Sequence, residues 1–156
     1  MAINKGKSWE AKFKNDFKKS FPDGTIDRLY DPTNGYLSIN NICDFIGYCY
    51  PNIFYLEIKS HKGNTFPFDC LPQYDKLTTK VGIKGVRAGV IIWFRDHDKV
   101  IYAPISTITK MKQEGKKSIN ITKDLNNYNI LEIPGKKKRV FIECDYRCLC
   151  SLKDGS

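Results

Sequence analysis

The chain has 156 residues, 41% of them hydrophobic and 28% charged, the balance of a folded domain rather than of a disordered segment. Its 26 Lys and Arg against 17 Asp and Glu leave a net charge of +9, which suits a polyanionic partner, nucleic acid first. No apolar run approaches the roughly 18 residues of a membrane span, and the opening Met1-Ala2-Ile3-Asn4-Lys5-Gly6-Lys7 has no apolar signal core. The expectation is one domain over 1–156, cytoplasmic, with no membrane partner. The six cysteines form no C-x-x-C pair and His61 and His97 stand apart from them, so free thiols are expected rather than a zinc framework.

Trp9, Phe13 and Phe17 recur every four residues, which predicts an amphipathic helix over 8–20. Ser8 is its candidate N-cap and Pro22-Asp23-Gly24 its stop. Strands are predicted over 25–30, 42–48 and 53–60. In the last of these Phe54, Leu56 and Ile58 alternate with Tyr55, Glu57 and Lys59. Asp31-Pro32-Thr33-Asn34-Gly35, between the first two, is turn chemistry. A short helix over 72–81 opens on Pro72. The apolar run within 88–94 reads as a central strand covered on both faces, followed by a strand over 100–103 and a helix over 105–114. A basic loop at 115–117 leads to a hairpin over 128–145 turning at Pro134-Gly135. This order predicts an α/β fold, a mixed central sheet flanked by helices, with a core over about 5–119 and a C-terminal strand and hairpin region over 120–156.

One constellation stands apart. Asp44 falls in a predicted strand, where Asp is disfavoured. Glu57 and Lys59, two residues apart on the next strand, share a face. A hairpin through Tyr50-Pro51-Asn52 allows Asp44 to come opposite this pair. Two carboxylates converging at a strand edge make a hard oxygen site suited to Mg²⁺, or Mn²⁺ as a substitute. An ammonium beside them can orient water and offset charge building on a phosphate under attack. The chemistry allowed is phosphodiester hydrolysis. Taken alone, however, the common E-x-K pattern reads first as the solvent-facing ion pair of an antiparallel hairpin.

Asp44 followed by Glu57-Ile58-Lys59, behind a helix carrying Glu10, resembles the PD-(D/E)xK nuclease signature. The resemblance is closest to the RecU-like Holliday junction resolvases. Gly6-Lys7-Ser8-Trp9-Glu10 is similar to that family's Gly-Lys-x-x-Glu opening, and Thr65-Phe66-Pro67-Phe68 to the Ser-Phe-Pro-Leu after its E-x-K strand. Gln73-Tyr74-Asp75-Lys76-Leu77 is similar to its glutamine-led helix, and Gly115-Lys116-Lys117-Ser118-Ile119 to its Gly-x-Lys-Ser-Ile run. Cys43 stands where the motif's proline would, and the candidate for the family's projecting stalk, Leu29 to Ile42, is short.

The resemblance implies a restriction-endonuclease-like fold, a homodimer and Mg²⁺-dependent cutting of four-way DNA junctions. It implies that Asp44, Glu57 and the Ile58 carbonyl hold the metal and that Lys59 positions the attacking water, with Glu10 and Gln73 close by. Lys5, Lys7, Arg28, Lys62, Lys84, Arg87 and Lys117 are candidate contacts to branched or duplex DNA. The densest basic run, Lys136-Lys137-Lys138-Arg139, reads either as a second DNA contact or as a solvated hairpin tip. Two other functions fit the residues: a restriction-type or repair endonuclease of the same fold acting on duplex DNA, and a non-catalytic nucleic-acid-binding module.

Overall fold

The computed structural model describes residues 5–30 and 41–152; the turn at 31–35 and most of the stalk candidate lie outside them, as does the side chain of Lys5. Helix α1 (Lys5–Ser20) starts a turn earlier than expected, so Ser8 lies inside it and caps nothing. Trp9, Phe13, Phe17 and Phe21 form one stripe, and all four are buried. Phe13 meets Phe45 and Tyr146 with centroids 5.2 and 5.0 Å apart, and Trp9 meets Trp93 at 5.0 Å. A buried Phe contributes about 1.5–3 kcal/mol, so this stripe fixes the helix to the sheet.

The central sheet has six strands. They are β1 (Thr25–Arg28), β2 (Phe45–Cys49), β3 (Asn52–His61), β5 (Val86–Phe94), β6 (Lys99–Pro104) and β8 (Leu131–Glu132), in that spatial order. β3 pairs antiparallel with β2 and parallel with β5, and the remaining pairs are antiparallel. The mixed α/β fold expected from the sequence is thus present. Alternation along β3 sends Phe54, Leu56 and Ile58 to the α1 face. Tyr55, Glu57 and Lys59 point to the opposite face, which α2 (Tyr74–Thr78) and α3 (Ile105–Gln113) cover through Leu77, Ile105, Ile108 and Met111. Gly89 in β5 is required by its neighbour: a Cβ there would lie 2.2 Å from the Tyr102 ring.

Three expectations need correction. Asp44 lies just before β2 instead of inside it. α2 does not begin at Pro72; tight turns occupy 68–74, with Leu71 N–H donating to the Phe68 carbonyl and Tyr74 N–H to the Leu71 carbonyl. The hairpin does not turn at Pro134-Gly135. Pro134 has no N–H to continue a ladder, so the chain leaves β6 after β8. It then forms a separate ribbon of β9 (Gly135–Lys137) and β10 (Ile142–Cys144), which turns at 138–141. A second small ribbon joins β4 (Thr65–Pro67) to β7 (Ser118–Asn120), with Phe66 opposite Ile119. It brings together two of the sequence segments that carry the family resemblance. Among the described residues no helix is long and apolar enough to cross a membrane.

Candidate active site

The ladder between β2 and β3 ends at Phe45 opposite Leu56. Beyond it, the Asp44 carboxylate takes over: its Oδ2 accepts the Ile58 N–H at 2.9 Å. Glu57 sits between these positions on β3 and is only 2% exposed. Its Oε1 lies 3.3 Å from the Lys59 ammonium, while its Oε2 is buried with no hydrogen-bond partner. Burial first, then the charge of Asp44, pushes Glu57 up to about 8, with Lys59 opposing.

Glu10 reaches the same cluster from α1 through Arg28. The guanidinium stands 2.8 Å from Glu10 Oε2 and 3.4 Å from Asp44 Oδ1, and also meets the carbonyls of Leu29 and Asp44. Its face lies over Tyr30 and Phe45, with centroids 5.7 and 5.5 Å away. Burial and Asp44 raise the Glu10 carboxyl against the pull of Arg28, Lys59 and Lys7. Gln73 stands immediately before α2 and lines a cavity of about 210 Å³ together with Asp44, Asn41 and Lys76. Its Oε1 is buried without a partner.

The donor set fits a hard divalent cation. Two adjacent carboxyl groups, one with an orphaned buried oxygen, supply hard oxygens at a place where protein alone leaves one unsatisfied, and a bound cation would favour the ionised form of both. Among the described residues no cluster of three or more His, Cys, Asp or Glu surrounds a single point. A cation here would therefore take its remaining ligands from a backbone carbonyl and water, as Mg²⁺ commonly does.

The expected DNA contacts divide. Lys7, beside Glu10, and Lys62, just past β3, are exposed at the cluster's end of the sheet, and Lys117 is exposed next to β7. Lys84 is exposed but lies at the other end, next to Gly85, whose carbonyl accepts the Ile53 N–H four residues before Glu57. Arg87 is corrected outright. It is 4% exposed and donates to Asn52 Oδ1 and to the Leu152 carbonyl, so it serves the core on the α1 face. Arg28 belongs to the acid cluster. The β1–β2 register, which sets Arg28 opposite Phe45, puts it there, and no local pattern in the sequence marks that pairing. His61 packs edge-on against Phe66 and Phe94.

A mixed sheet of this order flanked by helices is the restriction-endonuclease-like fold of nucleases, and it sets Asp44 at the fork of β2 and β3 beside Glu57-Ile58-Lys59. The sequence model of Recombination protein U matches residues 10–143, and the chain belongs to this RecU family, whose function is the endonucleolytic resolution of Holliday junctions. The match runs past Ile119, where the resemblance read from the sequence stopped, and takes in β9 and the first two residues of β10. The fold is also that of Archaeoglobus fulgidus Hjc, a Holliday junction resolvase from an archaeal hyperthermophile, with a TM-score of 0.54. The identity is 15%, covering 75% of this chain and 89% of that one. Comparison with curated protein sequences gives no match.

Proposed function

We propose that the chain cuts four-way DNA junctions by paired phosphodiester hydrolysis, with Asp44, Glu57 and the Ile58 carbonyl holding Mg²⁺ and Mn²⁺ able to replace it. The observation that carries this reading is the buried Glu57 carboxyl beside Asp44, with one oxygen unpartnered and the other facing Lys59. The cation supplies Lewis acidity toward the phosphate and lowers the cost of ionising water. The chain's own residues do the rest. Asp44 is fixed by the Ile58 N–H, so its free lone pairs keep one direction. Lys59 aligns the attacking water on the same strand face and places positive charge where the phosphate gains negative charge. Glu10, held by Arg28, and Gln73 border the position of the reacting phosphate. Lys7, Lys62 and Lys117 take neighbouring phosphates.

The working unit is a homodimer, because two sites related by a two-fold axis nick opposed strands symmetrically. The test is cleavage of an end-labelled four-way junction and a matched linear duplex, with Mg²⁺ or EDTA, by wild type and Glu57→Ala. Paired symmetric nicks on the junction, dependent on both metal and Glu57, are expected. Equal cutting of the duplex removes the junction preference, and binding by folded protein without metal-dependent cutting removes the catalytic assignment.

A further inference from the structure

The turn between β5 and β6 anchors two basic segments at once. On one side, Asp96 Oδ2 accepts the Gly63 N–H at 2.9 Å and His97 bonds Asn64 at 2.6 Å, which fixes the loop carrying Lys62. On the other, Asp98 pairs with Lys137 of β9 at 2.7 Å. The β9–β10 ribbon is held elsewhere too. Glu143 bridges Lys19 and Lys138 at 3.4 and 3.3 Å, and both lysines lower its carboxyl. Phe141, at the ribbon's turn, packs on Trp9 and Trp93 with centroids 6.2 and 5.6 Å away. Gly135 permits the close fit of the two strands, since a Cβ there would lie 2.4 Å from Ile142 Cγ2.

Charge and placement then combine. Of the acids on this surface, Asp96, Asp98 and Glu143 are each engaged in a tether and Asp145 pairs with Arg147, while exposed Glu132 lies beside Asp98 and Lys99 and offsets one of the basic charges. Lys99, Lys136, Lys138 and Arg139 are exposed, and Arg95 keeps a buried Nε without a hydrogen-bond partner. The register sets His61 beside Phe94 and Phe94 beside Lys99, so the β5–β6 turn lies at the sheet end where Glu57, Lys59 and Lys62 emerge, and the Asp98–Lys137 pair joins to it the ribbon, which packs on the α1 face. Two strand spacings separate β3 from β6, roughly 10 Å, well within the footprint of one duplex.

We propose that the β5–β6 turn and the β9–β10 ribbon form a second DNA-backbone surface, continuous with Lys62, that holds an arm of the substrate by its phosphates without reading bases. The ribbon is a pre-formed and tethered element, so contacts from it cost little ordering entropy. Charge without base-edge donors makes the binding sequence-independent and salt-sensitive.

The inference rests on the DNA-processing function above, and the experiment separates the two. Junction binding is measured by fluorescence anisotropy in EDTA over a salt series. Wild type is compared with Lys136→Gln/Arg139→Gln and with Lys18→Gln/Lys110→Gln, which removes the same charge at exposed positions elsewhere. The ribbon variant should bind more weakly, with a slope of log affinity against log salt shallower by about 2, from two lost phosphate contacts. Its Mg²⁺-dependent cutting at saturating junction should be unchanged. A wild-type slope in the ribbon variant, or an equal loss in the control, overturns the inference while leaving the function intact. Failure of the wild type to bind a junction overturns both.

Discussion

Glu57→Gln tests the buried-acid site through stability, independently of any cleavage. Glu57 is 2% exposed with one unpartnered oxygen, and its carboxyl is pushed up to about 8 from an ordinary 4.5. Between those values the folded protein retains a proton that the unfolded chain has released, so stability falls as pH rises through the window. At about 1.4 kcal/mol per pH unit, the ceiling on that loss is about 5 kcal/mol. Local relaxation and the sharing of one proton with Asp44 reduce it, and a loss of about 2–3 kcal/mol between pH 5 and 8 is expected. Glutamine is neutral throughout, so the variant should gain on wild type by that amount at pH 8 and by little at pH 5. Glu10, raised in the same direction, is present in both proteins and cancels in the difference. Urea denaturation in EDTA at three pH values measures this. Parallel pH dependence of variant and wild type would refute the argument that Glu57 is held protonated by burial.

Phe13→Ala removes a ring in contact with Phe17, Phe45 and Tyr146 and should cost about 3–5 kcal/mol by chemical denaturation. Gly89→Ala drives a methyl into the Tyr102 ring, with an expected loss of about 1–3 kcal/mol by the same assay. Arg28→Gln leaves Asp44 held by the Ile58 N–H but removes a cation from beside the carboxylates. Calorimetric titration should show Mn²⁺ binding several-fold more tightly. Weaker binding would mean that the guanidinium's hold on Asp44 outweighs its charge.

Local patterns in the sequence carried the elements whose cause is local. The four-residue spacing of Trp9, Phe13 and Phe17 marks α1, and the alternation from Phe54 to Lys59 marks β3, because burial of one face imposes the period in each case. What depends on distant pairing was not legible. Nothing near Thr65 says that it will meet Asn120, and nothing near Pro134 says that Leu131 has already joined β6. Arg28 and Arg87 look alike in sequence. One pairs with Glu10 and Asp44, and the other is buried against Asn52 and Leu152, because β1 ends at the acid cluster while β5 begins at the opposite end.

The site exists because β3 outruns its antiparallel neighbour. β2 has five residues and β3 ten, so Glu57 to His61 keep β5 on one side and lose the β2 ladder on the other. The Ile58 N–H exposed by that mismatch would be an unsatisfied donor, and the Asp44 carboxylate satisfies it. One side chain therefore closes the sheet's fork and faces the place a cation would occupy. Asp44→Ala removes this structural bond together with the metal-holding role proposed for Asp44, and should cost about 1–3 kcal/mol through the orphaned N–H alone. Glu57 makes no such backbone bond among the described contacts, and its replacement by Gln removes the cost of ionising a buried carboxyl as pH rises toward 8 instead of exposing a donor. A loss of cleavage in Glu57→Gln that accompanies a gain in stability would thus assign the carboxylate to chemistry and not to folding.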